Sequence, residues 1–203
     1  MAVITISRQF GAGGITLGKM VAQKLGYTFV DTEIIRMVAE MANVSTHFVE
    51  TVEKEAGGKI SKLINKLVSK PMLERVLKDE RGYIDEEIYL DYLVLIIAQM
   101  ADEGNVVILG RGSQYILSDH PDAYHFLLIE DFANRVRFMQ EHYDLSPNRA
   151  KQVVKSEDKR RLNLYRKLHK TDYDRPSLYH LVLNMNRVNL DQAQDMICGL
   201  VTS

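Results

Sequence analysis

Chemistry is most readily written in the stretch Arg8-Gln9-Phe10-Gly11-Ala12-Gly13-Gly14-Ile15-Thr16, which follows the apolar run from Ala2 to Ile6 and precedes a segment of helical period. Small residues after a strand let successive backbone N–H groups converge on an anion, and the helix that follows adds unpaired donors and a partial positive charge. Thr16 is placed to offer its hydroxyl to a phosphate-bound Mg²⁺. The same residues would equally serve a glycine-rich turn that only packs strand on helix. No lysine lies between Arg8 and Thr16, so a cation completing such a cradle has to come from elsewhere.

A GxxxxGK pattern does exist at Gly13, Gly18 and Lys19, but Met20 stands where Ser or Thr is needed. That register starts the loop well beyond the strand end and breaks the stripe of Leu17, Val21 and Leu25, so Lys19 is read as a helix residue.

Arginines are the other suppliers of charge, because phosphoryl transfer asks a protein for in-line positioning and positive charge more than for covalent chemistry. Arg111 lies in the run Gly110-Arg111-Gly112 directly after an apolar strand, at the carboxyl end of the sheet where ligands of open α/β folds gather. Its alternative is a surface salt bridge. Arg160 and Arg161 end the run from Glu157 to Arg161. Their forked guanidinium groups can bridge two phosphates, or form a solvated helix face with Asp158 and Lys159.

The elements that must hold these groups follow from periodicity. Short β-branched and aromatic runs alternate with longer helical stretches, the pattern of an α/β fold with a mostly parallel sheet. Five strands are expected at Val3 to Ile6, Tyr27 to Val30, Val106 to Leu109, Tyr124 to Ile129 and His180 to Leu183. Gly26 stands where the first helix should end. The segment between the second and third strands is too long for one crossover helix and predicts an inserted helical lobe. Within it Lys59, Lys62, Lys66 and Lys70 share one face, read as a solvated surface rather than a specific anionic interface. Asp85 opens a long helix that Gly104 ends, and Ser146 with Pro147 starts another.

Composition narrows the classes. The 203 residues fit one domain, and 26 Lys+Arg against 27 Asp+Glu leave a formal net charge of -1, so no global basic field points to nucleic acid. The single cysteine, Cys198, allows no internal disulfide and favours a reducing cytoplasm. The apolar run Leu93 to Ala98 is far short of a membrane span, and the N-terminus lacks the pattern of a signal peptide. A soluble, cytoplasmic protein is expected, with small-molecule partners and neither membrane nor nucleic acid among them.

Four ordered blocks, "VITISRQFGAGGITLGKMVAQKLGYTFVD", "EGNVVILGRGSQYIL", "DKRRLNLYRKLHKTDYD" and "YHLVLNMNRVNLDQA", together resemble the cytidylate-kinase-like family, a branch of the P-loop nucleoside monophosphate kinases. The resemblance implies an α/β P-loop kinase fold: a five-stranded, mostly parallel sheet flanked by helices. It implies one domain over residues 1–203, with a helical insertion at about 33–103 and a helical lid at about 135–175. Matched to cytidylate kinases, Gly14 falls on their phosphate-binding lysine and Arg8 on the first loop glycine, while Gly11, Gly13 and Thr16 agree. Gly11, Ala12, Gly13, Gly14, Ile15 and Thr16 would then hold ATP, Thr16 would bind Mg²⁺, and Asp31 could help from the outer sphere.

The same resemblance places Arg135 over the donor base and Arg160 and Arg161 in the lid, above the phosphates. It puts Asp31, Thr32 and Arg111 near the acceptor. Asp158 would either receive the acceptor base or orient the lid arginines. Arg8, Arg160 and Arg161 are the expected substitutes for the missing lysine. The implied reaction is ATP- and Mg²⁺-dependent phosphoryl transfer to a nucleoside monophosphate, CMP or another pyrimidine nucleotide. The alternatives are a nucleotide-binding sensor with weak or no turnover, and a kinase for a different small metabolite.

Overall fold

The computed structural model describes residues 1–41, 86–171 and 173–203. The lysine face at Lys59 to Lys70, Asp85 and most of the expected helical insertion lie outside them.

Strand β1 (Val3–Arg8) is central because its first five residues are buried on both faces. The β-branched residues suit a strand that helices cover on each side. Beside it run β3 (Val106–Leu109) and β4 (Ala123–Ile129), with β2 (Thr28–Val30) and β5 (Leu181–Asn184) at the edges. The order is β2-β3-β1-β4-β5, and every pairing is parallel, with Ile6 opposite Leu109 on one side and Phe126 on the other. All five expected strands form, shifted by one or two residues at some ends.

Helix α1 (Gly14–Leu25) follows β1, with both flanking caps, Gly13 at φ 78° and Gly26 at φ 70°, in the left-handed region. Leu17 and Val21 point inward and join Ile4 and Ile6 in one core with α7 (Leu190–Thr202). Gly18 is a packing glycine: the Phe29 ring occupies the space a β-carbon would need, and Lys19 is exposed. The GxxxxGK register is thus excluded by the fold as well as by the helix stripe.

The opposite core gathers Val3, Val106 and Ile108 against α2 (Glu33–Met41), α3 (Glu86–Glu103) and α4 (Ser113–Ile116). Helices α5 (Phe132–Tyr143) and α6 (Pro147–Lys167) pack on each other through Val136, Met139, Ala150 and Val154. Ser146 caps α6 by accepting from the Arg149 N–H, with Pro147 at the first turn. No helix among the described residues is long and apolar enough to cross a membrane.

The sheet also buries a histidine. The Thr5 hydroxyl and His125 Nδ1 lie 2.7 Å apart, and the His125 backbone N–H donates to His180 Nδ1 at 3.0 Å. Burial, reinforced by the nearby His180 and by His120, pushes His125 down to about 4. A base whose folded pKa lies below its ordinary value contributes stability above about pH 6.5 and loses it as the pH falls toward 4. Urea unfolding across that range should lose about 2–3 kcal/mol. The His125→Gln variant should show a flatter dependence, and equal slopes in the two proteins would remove His125 as the cause.

Candidate active site

Ligands of open α/β sheets gather at the carboxyl ends of strands where the strand order reverses. Here that place is the end of β1, between β3 and β4, and the two chemistry-bearing loops leave the sheet there. The first is the glycine loop. Gly11 at φ 91° and Gly13 at φ 78° turn the chain back on itself, and the Ala12 N–H closes the turn on Gln9 O at 3.1 Å. The first amide of the helical ladder is that of Leu17, donating to Gly13 O at 3.0 Å. The N–H groups of Gly14, Ile15 and Thr16 precede that ladder, and no side chain caps them. Uncapped donors and a glycine-narrowed backbone fit an anionic phosphate chain.

The second loop follows β3, and its Gly110 N–H donates to Ile6 O at 3.0 Å, tying it to β1. Gly110, Arg111 and Gly112 hold φ values of 73°, 59° and 71°. Three successive left-handed residues make a tight bend, and Arg111 adopts a conformation that costs an L side chain about 1–2 kcal/mol. Ser113 Oγ secures the bend by donating to Gly110 O at 2.8 Å, and Leu168 leaves no room for a side chain at Gly112.

Two cavities result. One is bounded by the loop from Gly11 to Thr16 and by Phe138 and Met139 of α5. The other collects Arg111 with Glu157, Arg160, Arg161 and Tyr165 of α6. Arg8 and Phe10 line both. The arrangement therefore offers a main-chain anion cradle on one side, a guanidinium cluster on the other, and Arg8 between them.

The two arginines of α6, Arg160 and Arg161, are not equivalent. Arg161 makes a two-pronged contact with Asp174, at 2.8 and 2.7 Å, and its ring neighbour is Tyr165, with the guanidinium carbon 5.4 Å from the centroid. Burial opposes its charge, yet Tyr165 and the Asp174 contacts outweigh it and raise its pKa. Arg160 has the looser partner, Glu157 at 3.3 Å. Of these two α6 arginines, Arg160 is the one more readily turned toward the cavity.

Arg135 departs from the role of a lid over the donor base. It is buried, and it donates to Glu130 O at 3.1 Å, to Phe10 O at 3.0 Å and to Asp158 Oδ2 at 2.8 Å. Asp158 Oδ1 in turn accepts from the Phe10 N–H at 3.1 Å. The Arg135 backbone also lies against Gly11, where a β-carbon would stand 3.0 Å from Arg135 O. Arg135, expected over the donor base, and Asp158, expected either at the acceptor base or as a holder of the lid arginines, together clamp the loop entrance to α5 and α6. The physical reason is burial: a guanidinium removed from water needs acceptors from the protein itself.

Asp31 is half-buried, and its charge faces Arg8, while Thr32 is exposed at the start of α2. Neither lines the two cavities. Among the described residues no cluster of three His, Cys, Asp or Glu side chains could hold a metal ion. Mg²⁺ binding would fall to Thr16, which lines the loop cavity, together with water and phosphate oxygens.

Sequence reasoning missed Asp174, Glu157 and Phe10 as parts of this site. Glu157 and Asp174 lie in or beside the charged blocks, but pattern alone does not say which acid meets which arginine. Phe10 acts through its backbone, which leaves no compositional trace.

A family model described as "Cytidylate kinase-like family" matches residues 3–187. No curated protein matches the sequence. Among solved structures, an uncharacterized protein from Eubacterium ventriosum ATCC 27560 is 20% identical with a TM-score of 0.70, covering 99% of this chain and 98% of that one. A gluconokinase from Sinorhizobium meliloti 1021 is 12% identical at TM-score 0.52, covering 99% and 92%. A shikimate kinase from Bacteroides thetaiotaomicron is 14% identical at TM-score 0.50, covering 100% and 99%. The fold is that of P-loop kinases.

Proposed function

The chain belongs to the cytidylate kinase-like family, and from that premise we propose that it transfers the γ-phosphoryl group of ATP to a nucleoside monophosphate, CMP or another pyrimidine nucleotide. Family and fold together support the coarser statement, phosphoryl transfer to a small metabolite. The observation that carries the finer reading is the pair of adjoining cavities, an amide cradle for the donor phosphates and an arginine cluster beyond it. An acceptor bearing its own phosphate suits Arg111 and Arg160 better than a neutral sugar would, because the forked guanidinium group pairs with phosphate oxygens through two parallel charge-assisted hydrogen bonds.

In this reading an oxygen of the acceptor phosphate attacks Pγ, the bond from Pγ to the bridging oxygen breaks, and ADP leaves with the electron pair. Gly11 to Thr16 hold the donor phosphates, and Arg111 and Arg160 hold the acceptor phosphate in line. Arg161 and Asp174 fix the lid against Tyr165. Thr16 would hold Mg²⁺ through its hydroxyl, and the bound ion would neutralise charge on the phosphates. Asp31 sets the electrostatic balance around Arg8 rather than touching the acceptor.

Purified protein incubated with ATP, Mg²⁺ and CMP, UMP, AMP, GMP, shikimate or gluconate should form ADP together with CDP or UDP. Turnover confined to a non-nucleotide acceptor would move the acceptor assignment. No turnover with any of the six, alongside normal ATP binding, would favour a nucleotide-binding regulatory protein.

A further inference from the structure

In a phosphate-binding loop of the GxxxxGK type, glycine opens the loop and lysine reaches the β- and γ-phosphates. This chain carries the two residue types with their places exchanged in charge: an arginine at position 8 and a glycine at position 14. The structure shows why the changes belong together. A β-carbon on Gly14 would stand 2.9 Å from Arg8 Cγ and 3.3 Å from its Cβ and Cδ. The arginine stem therefore fills the space through which a side chain at position 14 would leave the loop. Its guanidinium continues over Gly110, where Nη1 takes the place of a side chain.

We propose that Arg8 is the phosphate-binding cation of this loop, delivered from the end of β1 through the space left by Gly14. Three observations converge on it. Arg8 lines both the loop cavity and the arginine cavity, the position a group must hold to touch a phosphoryl unit passing between them. The Arg8 guanidinium lies over bare Gly110, at the start of the arginine loop. Among the described residues, no hydrogen bond or ion pair engages the Arg8 guanidinium, so its donors remain for a ligand, whereas Arg135 gives Nε and Nη1 to protein acceptors and Arg161 gives both terminal nitrogens to Asp174. The delocalised fork reaches two oxygens at once, which a lysine would not.

The inference rests on the reading of Gly11 to Thr16 as a nucleotide site, and not on the acceptor. It predicts reciprocal rescue. By calorimetry, Arg8→Met, which keeps the stem and removes the charge, should weaken MgATP binding about 10- to 100-fold, while Arg8→Lys should keep part of it. Gly14→Lys alone should also bind poorly, because its side chain meets the Arg8 stem. The double variant Arg8→Gly, Gly14→Lys should bind within about threefold of the natural protein, and tighter than Arg8→Gly alone. Melting temperatures report folding separately.

Natural protein that fails to bind MgATP would overturn the nucleotide reading and this inference with it. MgATP binding unchanged in Arg8→Met would overturn the inference alone. So would a folded double variant no better than Arg8→Gly. If the double variant does not fold, equal affinities for Arg8→Met and Arg8→Lys decide against Arg8, and retention only with lysine decides for it.

Discussion

Replacing Asp158 by alanine should destabilise the protein by about 3 kcal/mol, among the largest effects available to a single surface-adjacent carboxylate. The reason is the company it keeps. Asp158 is the charged partner of Arg135, whose side chain is only 7% exposed, and truncation strands that guanidinium in a buried place. The Phe10 N–H loses its acceptor at the same time. Arg135 would keep Phe10 O and Glu130 O, but these carbonyls carry no formal charge. For a chain of this size the melting temperature should fall by about 6–12 °C. Asp158→Asn, which keeps an oxygen for the Phe10 N–H, should lose less. Denaturant melts of the two variants measure the difference. A loss in Asp158→Ala below about 1 kcal/mol would mean that the pair behaves as an exposed bridge.

The second large effect is kinetic. Arg111→Asn should lower kcat/KM for the acceptor about 100- to 1000-fold, with the KM for ATP and the melting temperature moving little. Asparagine is chosen because it tolerates the left-handed φ of 59° that the bend demands. The bend itself is held by Ser113 Oγ and the Gly110 N–H, which the substitution leaves in place. Steady-state kinetics with each substrate varied in turn separate the outcomes. A rise in the KM for ATP with acceptor kinetics unchanged would reassign Arg111 to the donor side.

The strands were legible because each is a short buried run of residues such as Val106-Val107-Ile108-Leu109, whose pattern depends only on near neighbours. The glycine loop was legible for the same reason: conformational freedom at Gly11 and Gly13 is a property of the residue type. Rejection of Lys19 came from the stripe of Leu17 and Val21, and the Phe29 ring against Gly18 adds the tertiary cause. The arginines were legible as a set but not as individuals. Arg135, Arg160 and Arg161 look alike in sequence, yet one is a buried clamp, one holds a loose neighbour and one is locked to Asp174.

By itself the sequence determined the alternation of strand and helix, the place of the anion loop after β1 and the supply of positive charge around it. These follow from local periodicity and residue chemistry. Tertiary structure alone decided how that charge is distributed. The contact from Phe10 to Asp158 spans 148 positions, and the Arg135 contact to Phe10 spans 125. Which acid quenches which base, and whether the stem of Arg8 lies over Gly14, depends on distances that appear only once the strands have been laid side by side, because charge pairing and steric exclusion act through space and not along the chain.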